Sequence, residues 1–539
     1  MLDRLNALYP VRYTALALCV LGALLSLFTL VGFGIGGWTF LICTGLSVLG
    51  FWDMRQTSKS VLRNYPVIGH LRYTLEKIRP EMRQYFLESD TEATPFSRSQ
   101  RSLAYARAKG QTDKRPFGTQ LNVKQNGFEW LNHSLAPSHL LSHDFRITVG
   151  GPDCTQPYDA SVFNISAMSF GALSAHAVQA LNAGAQRGGF AHDTGEGSIS
   201  VHHRMHGGDL IWEIGSGYFG CRNDDGSFNA EKFRTNALDA QVKMIELKLS
   251  QGAKPGHGGV LPGSKVTPEI AAARGVPLGL DCISPSSHSA FSTPVELMEF
   301  IAQLRELSGG KPTGFKLCIG HPWEWFAIVK AMQSTGITPD FIVVDGSEGG
   351  TGAAPLEFTD HVGAPLQEGL RLVHNTLVGV NLRDRIKIGC AGKVISAFDI
   401  ARALALGADW CNSARGFMFS LGCIQAQTCH TGHCPTGVTT QDPVRQQALV
   451  VPDKATRVHL FHQETLKALQ ELVQAAGLQH PCEITAHHIV RRINENDVRL
   501  LSTLLPAMAP GALLQGAQGQ TKVFEVYWPQ ARAEHFSPV

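Results

Sequence analysis

Cysteine is scarce, with 12 residues in a chain of 539. That density excludes a small secreted domain stapled by disulfides. An excess of either charge is missing too. Lys and Arg number 47 against 45 Asp and Glu, a formal net charge of +2, which argues against a partner that is nucleic acid or another polyanion. There is no short-period repeat and no low-complexity tract. No Rossmann unit for a nicotinamide cofactor is visible. Gly32, Gly34 and Gly37 match G-x-G-x-x-G, but the flanks are apolar and no acid follows until Asp53. A dinucleotide site needs a preceding strand, an amphipathic helix and a later acid.

Charge is absent altogether from Tyr13 to Phe51. At about 20 residues per span, this run holds two short helices, with the turn near Gly32–Gly37. Basic residues flank it: Arg4 and Arg12 before, Arg55, Lys59 and Arg63 after. The positive-inside bias puts both ends in the cytoplasm. The expectation is a membrane anchor over residues 1–54, a transmembrane helical hairpin in the cell membrane carrying a cytoplasmic catalytic domain. A single tilted helix with a re-entrant tail is the alternative. The run is too long for a cleaved signal peptide and lacks a convincing small-residue cleavage site. Residues 55–144 read as a linker or pre-barrel segment, with an amphipathic helix over Tyr73–Phe86. Its arginines could meet a phosphate or an anionic membrane face, though a solvated segment packing on the next domain is the favoured reading.

From residue 145 to about 450, short apolar runs alternate with longer helical patterns, the mark of parallel βα units. Candidate strands are Phe163–Met168, Leu278–Ile283, Gly314–Cys318, Phe341–Asp345, Ile386–Cys390 and Trp410–Ser413. Pro294–Leu307, Trp323–Ser334 and Ser396–Leu406 read as helices between them, and Asn236–Ser250 as a helix or as containing a strand. Units of about 30 residues favour an α/β fold of the eight-stranded (β/α) TIM-barrel type; a doubly wound sheet is the alternative. Chemistry in such a barrel sits at the carboxyl ends of the strands. There the sequence has Ser169–Ser174, His192–Gly197, Gln251–Gly263, Gly346–Ala353, Ala391–Gly392 and Ala414–Gly416. Residues 451–539 read as a C-terminal helical extension and tail: a helix over Lys454–Ala475, another over Ala486–Asn494, and an edge strand over Lys522–Trp528.

Three thiols crowd one short segment, Cys423, Cys429 and Cys434, spaced C-x5-C-x4-C and followed by proline. Thiolates so placed can converge on a soft-metal centre, but they lack the fourth ligand of a tetrahedral zinc site. On spacing alone, three reduced thiols are an equal reading. The surroundings are more specific. Leu421-Gly422-Cys423, Cys429-His430 and Cys434-Pro435-Thr436-Gly437-Val438 resemble the synthase domain of glutamate synthases. The likeness extends in order and spacing from about Ser166 to Gln441.

That resemblance implies a 3Fe–4S cluster on Cys423, Cys429 and Cys434, beside FMN. It implies an FMN phosphate pocket at Gly392, Lys393, Ala414, Arg415 and Gly416. Met168 and Ser169 would lie against the flavin ring, and Lys316 would face its N1/O2 edge. Gly349, Gly350 and Gly352 would let backbone pass close to the cofactor. Gln251 and Lys254 would bind a 2-oxo acid, and Glu196 would relay a proton to an imino nitrogen. The expected reaction is reduction of the imine formed from a 2-oxo acid and an amino donor, 2-oxoglutarate and ammonia giving glutamate. Two positions depart from the family: Lys254-Pro-Gly-His257-Gly-Gly-Val260 stands where the family reads Lys-Pro-Gly-Glu-Gly-Gly-Gln. That leaves open another acceptor, or a membrane-tethered electron-transfer subunit without its own substrate. The glutaminase domain of glutamate synthases is not expected here, so ammonia and electrons are expected from solution or from a separate electron-donor protein. His202, His203 and His206 cluster without a nearby carboxylate or thiol in sequence, so a metal on them is not expected.

Overall fold

Eight short strands, all parallel, close into a barrel in the computed structural model, which describes residues 9–91 and 95–538. They are β1 (Phe163–Ile165), β2 (His192–Asp193), β3 (Leu210–Ile214), β4 (Val242–Lys248), β5 (Thr313–Leu317), β6 (Phe341–Asp345), β7 (Lys387–Ala391) and β8 (Trp410–Ser413). Their order around the barrel is their order in the chain, and β8 closes on β1 through Cys411 opposite Phe163. The chain divides into two compact units, Met1–Glu92 and Ala93–Val539.

In the first unit, α1 (Thr14–Phe33) and α2 (Gly37–Arg55) lie antiparallel, followed by α3 (Gly69–Met82). Small residues allow the close approach of α1 and α2. A Cβ at Gly22 would sit 2.9 Å from Cys43 Sγ, and one at Gly50 would sit 2.6 Å from Leu16 Cδ1. Gly34 and Gly36 take positive φ at the turn, which costs glycine nothing. One helix among the described residues, Val11–Phe33, is long and apolar enough to cross a membrane. The second expected span, α2, does not meet that test: Gly, Thr and Trp dilute its apolar character and Asp53 closes it. Arg4, one of the expected flanking charges, lies outside the described residues.

The second unit begins with α4 (Arg98–Ala108) and continues into the barrel. A two-stranded ribbon, Arg146–Val149 with Tyr158–Ser161, precedes β1. Its Val149, Tyr158 and Ala160 share a small core with Ile211, Met244, Phe341, Val343 and Trp410, so the ribbon plugs the amino-terminal mouth. The outer ring is built by α5 (Ala175–Gly188), α6 (Pro294–Leu307), α7 (Pro322–Thr335), α8 (Leu366–Gly379) and α9 (Ala397–Ala405), with α10 (Arg415–Leu421) after β8. Thr293 caps α6 and Ser396 caps α9, each in a capping box. The long α11 (Val451–Ala475) seals the β8–β1 seam: a Cβ at Gly184 of α5 would lie 2.4 Å from Val458, and the His462 ring stacks on Phe190 at 3.8 Å.

Several expectations fail for physical reasons. Leu278–Ile283 is not a barrel strand. Only Cys282–Ile283 pairs, antiparallel to Val260–Leu261 outside the barrel. Pro277 and the positive φ of Gly279 break a ladder there, and Leu278 and Leu280 are exposed. Three barrel strands are instead β2, β3 and β4, with β4 lying inside the ambiguous segment Asn236–Ser250. Ile489–Arg492 is a strand between Glu129–Leu131 and Val498–Leu500, not a helix. Lys522–Tyr527 is a helix, not an edge strand: Phe524 and Trp528 pack on Phe326 of α7, and tertiary contact overrides their β propensity.

Candidate active site

Most expected site residues lie on loops leaving the carboxyl ends of the barrel strands; Lys316 is within β5, Arg415 and Gly416 open α10, and the three thiols follow α10. The β1 and β2 loops touch. Gly195 has φ +65, and a Cβ there would fall 2.6 Å from Ser169 N. Met168 and Ser169 therefore lie directly on the segment that carries Glu196.

Strand β4 alternates with period two, so Glu246 and Lys248 both project into the barrel, Lys248 nearer the mouth. Lys248 Nζ is 2.8 Å from Glu196 Oε2. Burial raises the Glu196 carboxyl, but Lys248 foremost, then Arg274 and Lys254, outweigh it and bring it down to about 2. Glu196 is therefore ionised across the physiological range. The loop after β4 folds over this pair: a Cβ at Gly259 would be 2.3 Å from Glu196 Oε1. Gly252 donates its N–H to Asp345 Oδ2 at 2.9 Å, which ties the Gln251–Lys254 segment to the end of β6. Lys254 is buried, and its Nζ donates to the carbonyl of Gly258 at 3.1 Å. Burial lowers its pKa, against the attraction of Glu196. The two departures from the family pattern face outward. His257 is exposed with its ring edge-on to Phe358, and Val260 is 39% exposed.

Lys316 pairs with Glu213 and lies 3.1 Å from Glu246 Oε1, beneath the mouth. Asp193, Glu213 and Glu246 form the one group of three ligand atoms lying within 4.8 Å of one another among the described residues. Burial opposes the Lys316 ammonium, yet Glu213 and Glu246 hold its pKa well above the ordinary value. Burial and mutual repulsion push Asp193 up, and burial chiefly raises Asp345. Of histidines 202, 203 and 206, two have side-chain partners. His202 Nε2 is 3.0 Å from Glu269 and its Nδ1 meets Gln179, while His203 Nδ1 meets Ser200.

On the other side of the mouth, Lys393 holds a left-handed φ of +53, uncommon for a residue with a Cβ. The N–H groups of Gly392 and Lys393 meet no protein acceptor among the described residues. Such a turn suits an anion such as a phosphate, although the Glu348 carboxyl lies 3.4 Å from where a Gly392 Cβ would be. Arg415, opening α10, donates to the Gly350 carbonyl at 3.3 Å. Gly350 thus lies beside the start of α10, which leads into the loop that carries the thiols. Gly352 touches that loop, since a Cβ there would be 3.4 Å from Cys429 Cβ. Ala414 and Gly416 flank Arg415, and Gly416 leaves room for Phe461.

The three thiols are electrostatic neighbours. Burial raises Cys423, and Cys429 and Cys434 add to the rise. Cys434 is brought down to about 7: burial raises it, but hydrogen bonds from Thr436 and Thr439 outweigh that. A thiolate is the form an iron centre takes. The sulfurs do not all lie within 4.8 Å of one another. Sulfurs around one tetrahedral ion at about 2.3 Å would be about 3.8 Å apart, so the three are not set around a single tetrahedral ion. Tyr105 Oη, 2.6 Å from the Cys423 carbonyl, and Gln425, bonded to the Phe96 carbonyl, fasten the loop to α4.

Residues 155–479 match the family profile described as the conserved region in glutamate synthase. The chain belongs to the glutamate synthase family. The matched region holds all eight strands, the thiol loop and α11. The glutamate synthase large subunit-like protein YerD of Bacillus subtilis is 38% identical over 493 residues, covering 84% of this chain and 94% of that protein. The archaeal-type glutamate synthase [NADPH] of Thermotoga maritima is 33% identical over 340 residues, 62% of this chain and 64% of that protein. The archaeal glutamate synthase [NADPH] of Methanocaldococcus jannaschii is 35% identical over 315 residues, 58% of each. Among solved structures, a flavocytochrome b2 mutant with pyruvate bound overlaps 78% of this chain at a TM-score of 0.39 and 14% identity.

Lys248 was not foreseen as a site residue. Its signal was present: Glu246 and Lys248 stand two apart, just before Gln251. Asp193 and Glu213 were missed as well, because charges inside a barrel contradict the apolar pattern by which strands are recognised.

Proposed function

We propose that this chain is an oxidoreductase of glutamate-synthase type that reduces the imine of a 2-oxo acid to an amino acid. The observation that carries the reading is the cation–carboxylate group Lys248–Glu196–Lys254 at the barrel mouth, beside glycine loops that adjoin three thiols. FMN in the mouth would supply hydride chemistry, and a 3Fe–4S cluster would supply one-electron transfer. Met168, Ser169, Gly392, Lys393 and Ala414–Gly416 would hold the flavin; Cys423, Cys429 and Cys434 would hold the cluster.

In this proposal Lys254 binds the substrate carboxylate as a point charge. Glu196 is ionised, so it holds no proton to give. It positions Lys248, whose ammonium sits beside the substrate site and donates toward the imino nitrogen. The loop around Gly258 and Gly259 covers the pair and excludes water, which strengthens both charges. Lys316, paired with Glu213 and Glu246, neutralises the carboxylates below the site. Ammonia and electrons come from solution or from a separate donor protein. The apolar helix Val11–Phe33, with α2, anchors the chain in a membrane with the barrel on the cytoplasmic side.

Spectra of the purified full-length protein test the cofactors. Expected are flavin absorbance and an electron paramagnetic signal of an oxidised three-iron cluster. Reoxidation of the reduced flavin by 2-oxoglutarate with ammonium tests the substrate. A protein that takes up no flavin would sink the proposal. Flavin that is reoxidised by another 2-oxo acid alone would favour the different acceptor that His257 and Val260 allow, and flavin that no 2-oxo acid reoxidises would favour a bare electron-transfer subunit.

A further inference from the structure

Helix α3 carries an apolar stripe on its open side. Ile68, Leu71, Leu75, Ile78 and Met82, three and four residues apart, share one face and are 54%, 58%, 54%, 41% and 44% exposed. The opposite side holds the helix to its own unit. Tyr73 is partly buried under Lys59, whose Nζ is 4.8 Å from the ring, and Gly69 packs on Leu62.

The start of α3 is pinned to the polar end of α2. His70 Nε2 is 2.9 Å from Asp53 Oδ1, and the N–H of Val67 donates to Asp53 Oδ2 at 3.0 Å. Val67 takes φ +67, a conformation that a β-branched residue adopts only under such constraint, and it turns the chain sharply into α3. Asp53 is the first charge after the apolar run. The helix thus departs from the level at which α2 passes from apolar to polar. Arg72 and Arg79 each follow a stripe residue by one position, so they line one edge of the stripe, and Arg83 follows the end of the helix. Arg72 also pairs with Glu76 at 3.1 Å.

We propose that α3 lies in the plane of an anionic lipid surface, its Ile68–Met82 face among the upper acyl chains and its arginines on headgroup phosphates. The inference rests on the membrane reading of Val11–Phe33 and extends it. The occupant is lipid because the stripe starts beside the end of the apolar hairpin and one of its edges is basic, as in interfacial helices.

Photo-crosslinking of the full-length protein in phosphatidylglycerol-containing vesicles tests it. A diazirine side chain is placed in turn at Leu75, at Val31 of α1 and at Tyr73. The expected result is phospholipid attached at positions 75 and 31 and none at 73, with labelling at 75 several-fold weaker in pure phosphatidylcholine. Labelling at 31 with none at 75 overturns the in-plane helix and leaves the span standing. Silence at both overturns the span as well. Attachment at 75 to another protein chain makes the stripe a protein interface and refutes the lipid assignment. Equal labelling at 75 in both lipids removes the role of the arginines.

Discussion

Replacing Lys248 with Met tests whether Glu196 is held ionised by that single cation. The two side chains are 11% and 19% exposed and 2.8 Å apart, so solvent screens them little. The Glu196 carboxyl falls from the ordinary 4.5 to about 2. At about 1.4 kcal/mol per tenfold change in proton affinity, that is about 3 kcal/mol of stabilisation shared among Lys248, Arg274 and Lys254. Lys248 leads the three, so its loss is expected to cost about 2 kcal/mol, with a further penalty for the carboxylate left in a buried site. Because the folded value is depressed, this stability is present above the unfolded value of 4.5 and is lost as pH falls toward 2. Thermal unfolding of the full-length protein should therefore show Lys248→Met well below the parent at pH 7.5, with the gap narrowing below pH 4.5. Glu196→Gln on the Lys248→Met background should recover at least half of the loss. A loss under about 0.5 kcal/mol, or a double-mutant cycle with no coupling, would refute the reasoning.

Further outcomes follow from neighbouring geometry. Gly259→Ala puts a Cβ 2.3 Å from Glu196 Oε1, so it should displace the carboxylate and raise KM for the 2-oxo acid about tenfold while flavin content is unchanged; steady-state kinetics with a flavin assay measure both. Cys434 titrates at about 7, and the thiolate fraction grows with pH. Cluster reconstitution should therefore be several-fold faster at pH 8 than at pH 6, and Cys434→Ser should lose the three-iron paramagnetic signal. Glu246 is raised to about 7, first by burial and also by Glu213. The fold binds that proton more tightly than the unfolded chain, so the associated stability is full below 4.5 and is lost as pH rises through 7. Glu246→Gln mimics the protonated acid and should unfold about 1 kcal/mol later than the parent at pH 8 but not at pH 5. Gly184→Val would drive a side chain into Val458, 2.4 Å from its first carbon, and should lower the unfolding temperature by lifting α11 off α5.

The barrel was legible because most of its parts state themselves locally. Phe341–Asp345 and Trp410–Ser413 are apolar runs between helices, and capping boxes mark the starts of α6 and α9. The strands that escaped notice are those whose inward side chains are charged. His192–Asp193 has almost no apolar signature, and Val242–Lys248 hides a period of two behind Glu246 and Lys248. A strand is recognised by the side chains it buries, and a buried ion cluster inverts that signal. Lys522–Tyr527 shows the converse: its β-branched and aromatic residues favour a strand in isolation, and packing on Phe326 makes it a helix.

The sequence by itself determined the alternation of strand and helix, the glycine loops after the strands, the apolar amino-terminal run and the thiol spacing. Each is set by neighbours a few residues apart. Only the tertiary structure decided that Lys248 meets Glu196, that one lysine is set among carboxylates inside the barrel, and that Gly352 lies against Cys429. Those contacts join residues that barrel closure brings together from far apart in the chain, and local sequence carries no record of such distances.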